Sequence, residues 1–114
     1  MAKVILTISL FKKIRKNFGD GETNTILNLL SSLEHNPKKG KYLGSVGDIA
    51  LKEIKYKKFH FYFIANNYKI KFMSVEELQN IFIKFVEISE KNNQQHVINK
   101  IKHILRSLGE EGFT

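Results

Sequence analysis

The residues best suited to chemistry lie between positions 51 and 72, in the stretch LKEIKYKKFHFYFIANNYKIKF. His60 and Tyr62 stand two residues apart in it, one acid (Glu53) precedes them, and lysines are spread along its length, at positions 52, 55, 57, 58, 69 and 71. Lysines hold phosphate groups, a tyrosine ring can stack on a nucleobase, and histidine moves protons near neutral pH. Together these residue types favour a phosphodiester ligand. A solvated, lysine-rich sheet face is the other interpretation, and the residues alone leave both open.

The composition is that of one globular domain with a strong positive charge. The chain has 114 residues, of which 42% are hydrophobic and 26% charged, and this is enough for a single core. Seventeen lysines and two arginines contribute to a net charge of +8. Such an excess favours an anionic partner, which can be nucleic acid, an acidic protein or a lipid surface.

Metal and cofactor chemistry find little support in the sequence. The chain has no cysteine, which excludes disulfides and thiolate metal sites. His96 and His103 lie seven residues apart on a predicted helix without a carboxylate partner, so we expect them at the surface or in packing contacts. We therefore expect neither a metal nor a cofactor.

The sequence also bears on the cellular compartment. Its apolar runs are far shorter than the roughly 20 residues that a membrane-spanning helix needs. The first residues, MAKVILTISLFKKIRK, do not follow the order of a signal peptide. We expect a cytoplasmic, soluble protein without a membrane partner.

The elements that must position these residues begin with a strand and two helices. The sequence predicts a strand over Lys3–Ile8, a helix over Ser9–Lys16 and a second helix over Glu22–His35. Leucines recur at helical spacing in the second helix, and Asn36–Pro37 ends it. Two short helices in close succession predict an antiparallel helical hairpin.

The second half of the chain is predicted to form a sheet and a closing helix. Glycines at 40, 44 and 47 indicate a loop, after which strands are expected at Ala50–Tyr56, Phe59–Ala65, Tyr68–Met73 and Ile81–Ile88, with a helical turn at 74–80 between the last two. An amphipathic helix should close the chain over Asn92–Leu108. The order predicts an α+β domain with a twisted antiparallel sheet over residues 1–109, and a frayed tail over residues 110–114.

Strand alternation predicts which face carries the chemistry. Phe59, Phe61 and Phe63 should point to one face, beneath the helical hairpin and the C-terminal helix, whereas His60 and Tyr62 should point to the other. We expect that second face to be wetter and to present some of the lysines.

These motifs resemble the RelE/ParE/HigB-type toxins of type II toxin–antitoxin systems. LKEIKYKKFHFYF resembles the family's Leu-x-Glu-Leu-Arg, turn, aromatic-Arg-Val-x-Tyr core through Leu51, Glu53, Ile54, Phe59, Phe61 and Phe63. NPKKGKYLGSV is similar to its Pro-x-x-Gly-x-x-Leu-x-Gly loop through Pro37, Gly40, Leu43 and Gly44. SLFKKIRK fits the first helix of the family, and FVEISEKNNQQHVINKIKHIL fits its last strand, basic elbow and closing helix.

The resemblance implies a microbial-RNase-like fold and metal-independent cleavage of messenger RNA during translation.

 In such enzymes a base takes the proton of the ribose 2′-OH, cations stabilise the charge on the phosphorus, and an acid protonates the leaving oxygen. The catalytic positions implied for this chain are His60, Lys55, Tyr62 and Lys91, and the RNA-binding positions are Lys52, Lys57, Lys58 and Lys84. The implied partners are an acidic antitoxin protein and mRNA on the ribosome.

The sequence departs from the family pattern at the two sheet arginines, where it has Lys55 and His60. Lysine keeps the positive charge but loses the bidentate fork of arginine, while histidine can act as a base or an acid. Two functions therefore stay open. One is a ribonuclease toxin; the other is a non-catalytic member of the same fold that binds RNA or a protein target such as gyrase.

Overall fold

The computed structural model describes residues 3–65 and 82–113. Over these ranges the chain forms an α+β domain with the elements β1 (Lys3–Leu6), α1 (Ile8–Asn17), α2 (Asp20–Ser31), β2 (Lys41–Val46), β3 (Ile49–Tyr56), β4 (Phe59–Ala65), β5 (Phe82–Glu90) and α3 (Gln94–Leu108). Short 3-10 turns lie at Ser32–Glu34, Lys91–Asn93 and Gly109–Gly112. The strand predicted at Tyr68–Met73 and the helical turn predicted at 74–80 lie outside the described residues.

The sheet is mixed, with the strand order β1-β5-β4-β3-β2. Strands β2 to β5 pair antiparallel, but β1 pairs parallel with β5. The prediction of a purely antiparallel sheet is therefore wrong at this edge. A parallel pair needs a long connection instead of a tight turn, and everything from α1 to β4 lies between these two strands.

The glycine-containing segment predicted to be a loop contains strand β2. It pairs with β3, and the register shifts between Tyr42 and Gly44. Gly44 has a φ of +139° at that shift, a backbone conformation that glycine adopts without a steric penalty. Glycines in a strand pattern often indicate such an irregularity, so they were compatible with an edge strand as well as with a loop.

The helical hairpin covers one face of the sheet. Leu10, Ile14, Ile26 and Leu30 of α1 and α2 form a core with apolar side chains of the sheet, which include Ile54, Phe61, Phe63, Ile83 and Phe85. Phe61 and Phe63 have no exposed surface. This confirms that the phenylalanines at these positions lie in the core beneath the hairpin.

Helix α3 covers the opposite face, so the prediction that it shares a face with the hairpin is wrong. Its buried residues Val97, Ile98, Ile101 and Leu105 pack with a second set of sheet residues: Leu51, Tyr62, Ile64 and Val86. Helical periodicity gives α3 an apolar stripe but does not indicate which sheet face the stripe meets. Because the second face also carries large apolar side chains, it needs a cover of its own.

The C-terminal residues are packed where the sequence predicts a frayed tail. Gly109–Gly112 forms a 3-10 turn, and Phe113 is 8% exposed within the core beneath α3. The tail ring thus belongs to the hydrophobic cover of the second face. Among the described helices, none is long and apolar enough to cross a membrane.

Candidate active site at the edge of strand β3

The site is built on the hairpin of β3 and β4. A two-residue turn joins these strands, and their register places Lys55 directly opposite His60. Glu53 precedes Lys55 by two residues, so its side chain points to the same face of the sheet. Cross-strand neighbours on one face are close enough to interact, and the hairpin therefore brings a cation, an imidazole and a carboxylate together.

His60 and Glu53 form a buried pair. The Nδ1 atom of His60 lies 3.1 Å from Oε2 of Glu53, and the two residues are 8% and 7% exposed. A carboxylate accepts hydrogen bonds, so Nδ1–H donates, and in the tautomer with the proton on Nδ1 the other nitrogen, Nε2, is an acceptor. This is the arrangement by which a carboxylate orients a histidine base.

Helix α3 also reaches this pair. The side-chain amide of Gln94, in the first turn of α3, donates to the same Oε2 atom of Glu53 at 2.7 Å. The carboxylate is therefore held from two sides, by a strand residue and by a helix residue. This double contact fixes the side chain that orients His60.

His60 and Glu53 open onto a cleft of about 390 Å³ between α2 and the edge of β3. Glu53 is the last residue of β3 that pairs with β2. The edge of β3 is open after this residue, and the cleft lies there. Its other lining residues are Leu29, Lys39, Gly40, Lys41, Ile54 and Lys55. The cleft thus combines a histidine–carboxylate pair, three lysines and an apolar wall.

The three lysines give the cleft a positive charge. Lys39, Lys41 and Lys55 are exposed, and within residues 3–65 and 82–113 none of their ammonium groups takes part in an ion pair. The carboxylate in the cleft, Glu53, is already engaged by His60 and Gln94. An anionic ligand is therefore the one that the charges of this cleft favour.

Tyr62 does not share the cleft with His60. Its ring has no exposed surface, and its hydroxyl lies 2.8 Å from Oγ of Ser89. Burial raises the pKa of Tyr62. The prediction that His60 and Tyr62 lie on a wetter face is wrong, because α3 covers that face and both residues are buried.

The predicted RNA-binding lysines are dispersed over the molecule. Lys52 lies on the hairpin face, where its ammonium group stands 5.8 Å over the Phe63 ring and donates to the Lys38 carbonyl; burial lowers its pKa. Lys84 pairs with Ile64, four residues and therefore about 13 Å along β4 from His60. Neither lysine joins the His60 cleft.

The remaining lysines lie near the same end of the sheet as His60. Lys57 and Lys58 form the turn between β3 and β4, where they make ion pairs with Glu22 at 2.7 Å and Glu90 at 3.5 Å. Lys91 follows β5 and is exposed in a 3-10 turn. Of the predicted catalytic residues, the register places Lys55 and His60 directly opposite each other.

Sequence reasoning missed three residues of the cleft. The sequence presents Glu53 as the one acid among lysines and as a motif position but assigns it no role in the site, although its two-residue offset from Lys55 places it on the same face. Lys39 and Lys41 flank Gly40 in a segment that the sequence predicts as a loop, and they reach the site because β2 pairs with β3. The register of the β3–β4 hairpin could have indicated Glu53 from the sequence. No sequence signal indicates Lys39 and Lys41, because their position depends on the pairing of β2 with β3.

Comparisons with known protein families, with curated proteins and with solved structures find no match for this chain.

Proposed function

We propose that this protein is a metal-independent endoribonuclease that acts on mRNA during translation, in the manner of a RelE-like toxin. The observation that carries this proposal is the His60–Glu53 pair at 3.1 Å, which opens onto a cleft lined by three lysines. A base with its orienting carboxylate, placed among cations, is the minimum that cleavage of RNA next to a 2′-OH requires.

The chemistry assigns the proton acceptor to Nε2 of His60. This nitrogen takes the proton of the ribose 2′-OH while the 2′-oxygen attacks the adjacent phosphorus, and the bond from phosphorus to the 5′-oxygen breaks. The leaving oxygen takes up one proton from the imidazolium or from water. The products are a 2′,3′-cyclic phosphate and a free 5′-OH, and Glu53 stabilises the imidazolium that forms between the two proton transfers.

The lysines of the cleft stabilise the charge that builds on the phosphate oxygens. Lys55 is the nearest by register, since it lies directly opposite His60, and Lys39 and Lys41 line the cleft from the side of β2. Lysine acts as a point charge and not as a bidentate clamp. Three lysines in one cleft together supply the stabilising positive charge that the family pattern obtains from the bidentate geometry of its arginines.

The toxin class rests on the order of motifs and on charge. The order of the elements is the one that the resemblance to RelE-like toxins implies: a helical hairpin, the sheet and a closing helix. The net charge is +8. A basic protein of this type would be inhibited by an acidic antitoxin, and its substrate would be single-stranded mRNA on the ribosome. Both partners belong to the proposal.

A non-catalytic module that binds RNA or a protein target is the second candidate. It is favoured by the burial of His60, which is 8% exposed, and by the sharing of Glu53 with Gln94. Such a pair can serve to stabilise the sheet without moving protons. Binding without cleavage would identify this second function.

The test is incubation of the purified protein with a message, with and without translating ribosomes, in the presence of a chelator. We expect cleavage that the chelator leaves unchanged and fragments that end in a 2′,3′-cyclic phosphate. A message that stays intact while it is bound would replace the ribonuclease by the binding module. A message that is neither bound nor cut would remove the ribonuclease and leave only a protein target for the binding module.

A further inference from the structure

A second cleft lies at the same end of the sheet as His60, on the face that the helical hairpin covers. It has a volume of about 350 Å³ and is formed by the end of α1 and by the strands β4 and β5. Its lining residues are Asn17, Phe18, Phe59, Ile88, Ser89 and Glu90. The residues of the His60 cleft are all different from these.

Two aromatic rings form the apolar part of this cleft. Phe18 and Phe59 contact each other edge to face, with 5.0 Å between the ring centroids. Both are half-buried, whereas Phe61, Phe63 and Phe85 of the same core have no exposed surface. A half-buried aromatic pair at the wall of a cleft is the kind of surface on which nucleobases stack.

One lysine lies beside the rings. The ammonium group of Lys58 lies 5.5 Å from the centroid of Phe59, and its ion pair with Glu90 joins two exposed side chains at 3.5 Å. Exposed pairs of this kind are weak and are readily exchanged for another anion. Lys58 can therefore turn to a phosphate without a large cost.

The β3–β4 turn connects the two clefts. Phe59 lines one cleft and His60, the next residue, lines the other, because successive strand residues point to opposite faces. The turn that precedes them consists of Lys57 and Lys58. A nucleic acid strand that passes from one cleft to the other around the end of this hairpin meets both lysines.

We propose that the Phe18–Phe59 cleft binds a nucleobase of single-stranded RNA whose neighbouring phosphate lies in the His60 cleft. The inference rests on the proposed function, since it takes the ligand of the His60 cleft to be RNA. The rings stack on the base, Oδ1 of Asn17 can accept from a donor at its edge, and the turn lysines neutralise the backbone.

Photocrosslinking of the intact protein tests the site directly. The probe is a short single-stranded oligoribonucleotide in which one uridine is 4-thiouridine, moved through successive positions, and the crosslinked residue is identified by mass spectrometry. We expect a crosslink to Phe18 or Phe59 from one position of the probe. Crosslinks that map only to other parts of the protein would overturn the proposal.

Substitution of Phe18, the residue that directly follows α1, provides a second measurement, with a matched control on α1. Phe18→Leu keeps an apolar side chain and removes the ring, so affinity for the oligonucleotide should fall about 5- to 100-fold, as for the loss of one stacked base. Phe11→Leu removes an exposed ring from the same helix outside the cleft and should leave affinity unchanged. Equal affinities for the two variants would contradict the proposal. The crosslink on the unaltered protein decides the matter if Phe18→Leu does not fold.

The outcomes separate this proposal from the proposed function. Cleavage that requires His60, with no crosslink to Phe18 or Phe59, leaves the ribonuclease and removes the base site. A crosslink with the expected loss of affinity, but without cleavage, supports the base site on a binding module. An oligonucleotide that neither binds nor crosslinks removes both.

Discussion

At the scale of single residues, the site depends on a carboxylate that holds a histidine. Glu53 bonds Nδ1 of His60 and also accepts from Gln94, so both the tautomer and the orientation of the ring are set by one side chain. The cations are lysines, which supply charge without fixed geometry. The orientation of the imidazole is therefore the part of the site that a single substitution can disturb most.

Glu53→Gln should lower the rate of RNA cleavage by about 10²-fold or more, because proton-transfer groups are worth about 10²–10⁴-fold and an amide does not stabilise the imidazolium. Single-turnover kinetics on a saturating RNA would measure this. Glu111→Gln, which alters an exposed carboxylate outside both clefts, is the control. A rate that the Glu53 variant leaves unchanged would show that this carboxylate does not serve the reaction.

Gly40 sets the shape of the cleft beside the catalytic pair. Its φ is +111°, and a Cβ atom there would lie 2.9 Å from Cζ of Phe63 and 3.1 Å from the carbonyl oxygen of Glu53. Gly40→Ala should destabilise the fold by about 1–3 kcal/mol, since backbone strain and overpacking act together. Chemical denaturation measures the loss.

Gly47→Ala is the matched control for Gly40. Gly47 also has a positive φ, +59°, but nothing lies within 4 Å of its Cβ position. The Gly47→Ala substitution should therefore lower the free energy of unfolding only by the left-handed backbone strain, about 1–2 kcal/mol. A Gly40→Ala variant as stable as the wild type would show that Phe63 does not lie close to Gly40.

At the scale of elements, the sequence predicts the central hairpin well and its surroundings less well. Tyr56 and Phe59 bound a two-residue turn in the sequence, and this turn determines that Lys55 faces His60. The partner of β1 and the face that α3 covers depend on contacts between distant parts of the chain. Local periodicity does not encode them, because an apolar stripe specifies burial but not the surface it meets.

Glu22 joins α2 to the β3–β4 turn. Its Oε2 accepts from the Tyr56 hydroxyl at 2.9 Å and from Lys57 at 2.7 Å. The hydrogen bond from Lys57, and after it the one from Tyr56, lower the pKa of the Glu22 carboxyl below its usual 4.5. A lowered pKa means that the carboxylate stabilises the fold above pH 4.5 and that this contribution is lost as the pH falls through the folded-state pKa.

Glu22→Gln should therefore lower the melting temperature at neutral pH and should have little effect in acid well below pH 4.5, where the wild-type carboxyl is itself protonated. Thermal melts of both proteins across this pH range measure the difference. Glu34→Gln changes a carboxylate outside this contact and should give no such pH dependence. A constant difference at every pH would mean that the carboxylate charge does not anchor the turn.

At the scale of the whole molecule, the net charge of +8 is distributed unevenly. Several acids are already engaged: Glu22 with Lys57, Glu87 with Lys13 and Lys100, and Glu90 with Lys58. In the part of the chain that the structure describes, the lysines of the His60 cleft are outside such pairs. The cleft is therefore one place where excess charge is available to an anionic ligand.

RNA affinity should fall steeply as salt rises, because counterions are released when lysines bind phosphates. Lys55→Ala should reduce the slope of log affinity against log salt by about one. Lys3→Ala removes an exposed cation from β1, at the edge of the sheet opposite β2 and β3, and should leave the slope unchanged. Identical slopes for the two variants would place the phosphate contacts away from the cleft.

The central claim is that His60 is the base of a ribonuclease. The most direct test measures how fast the His60→Ala variant cleaves a translated message. His96→Ala, which removes an exposed histidine of α3, is the control, and melting curves should show both variants folded. We expect His60→Ala to lower cleavage by about 10²–10⁴-fold and His96→Ala to cleave as the wild type does. Cleavage by a folded His60→Ala at the wild-type rate would contradict the claim.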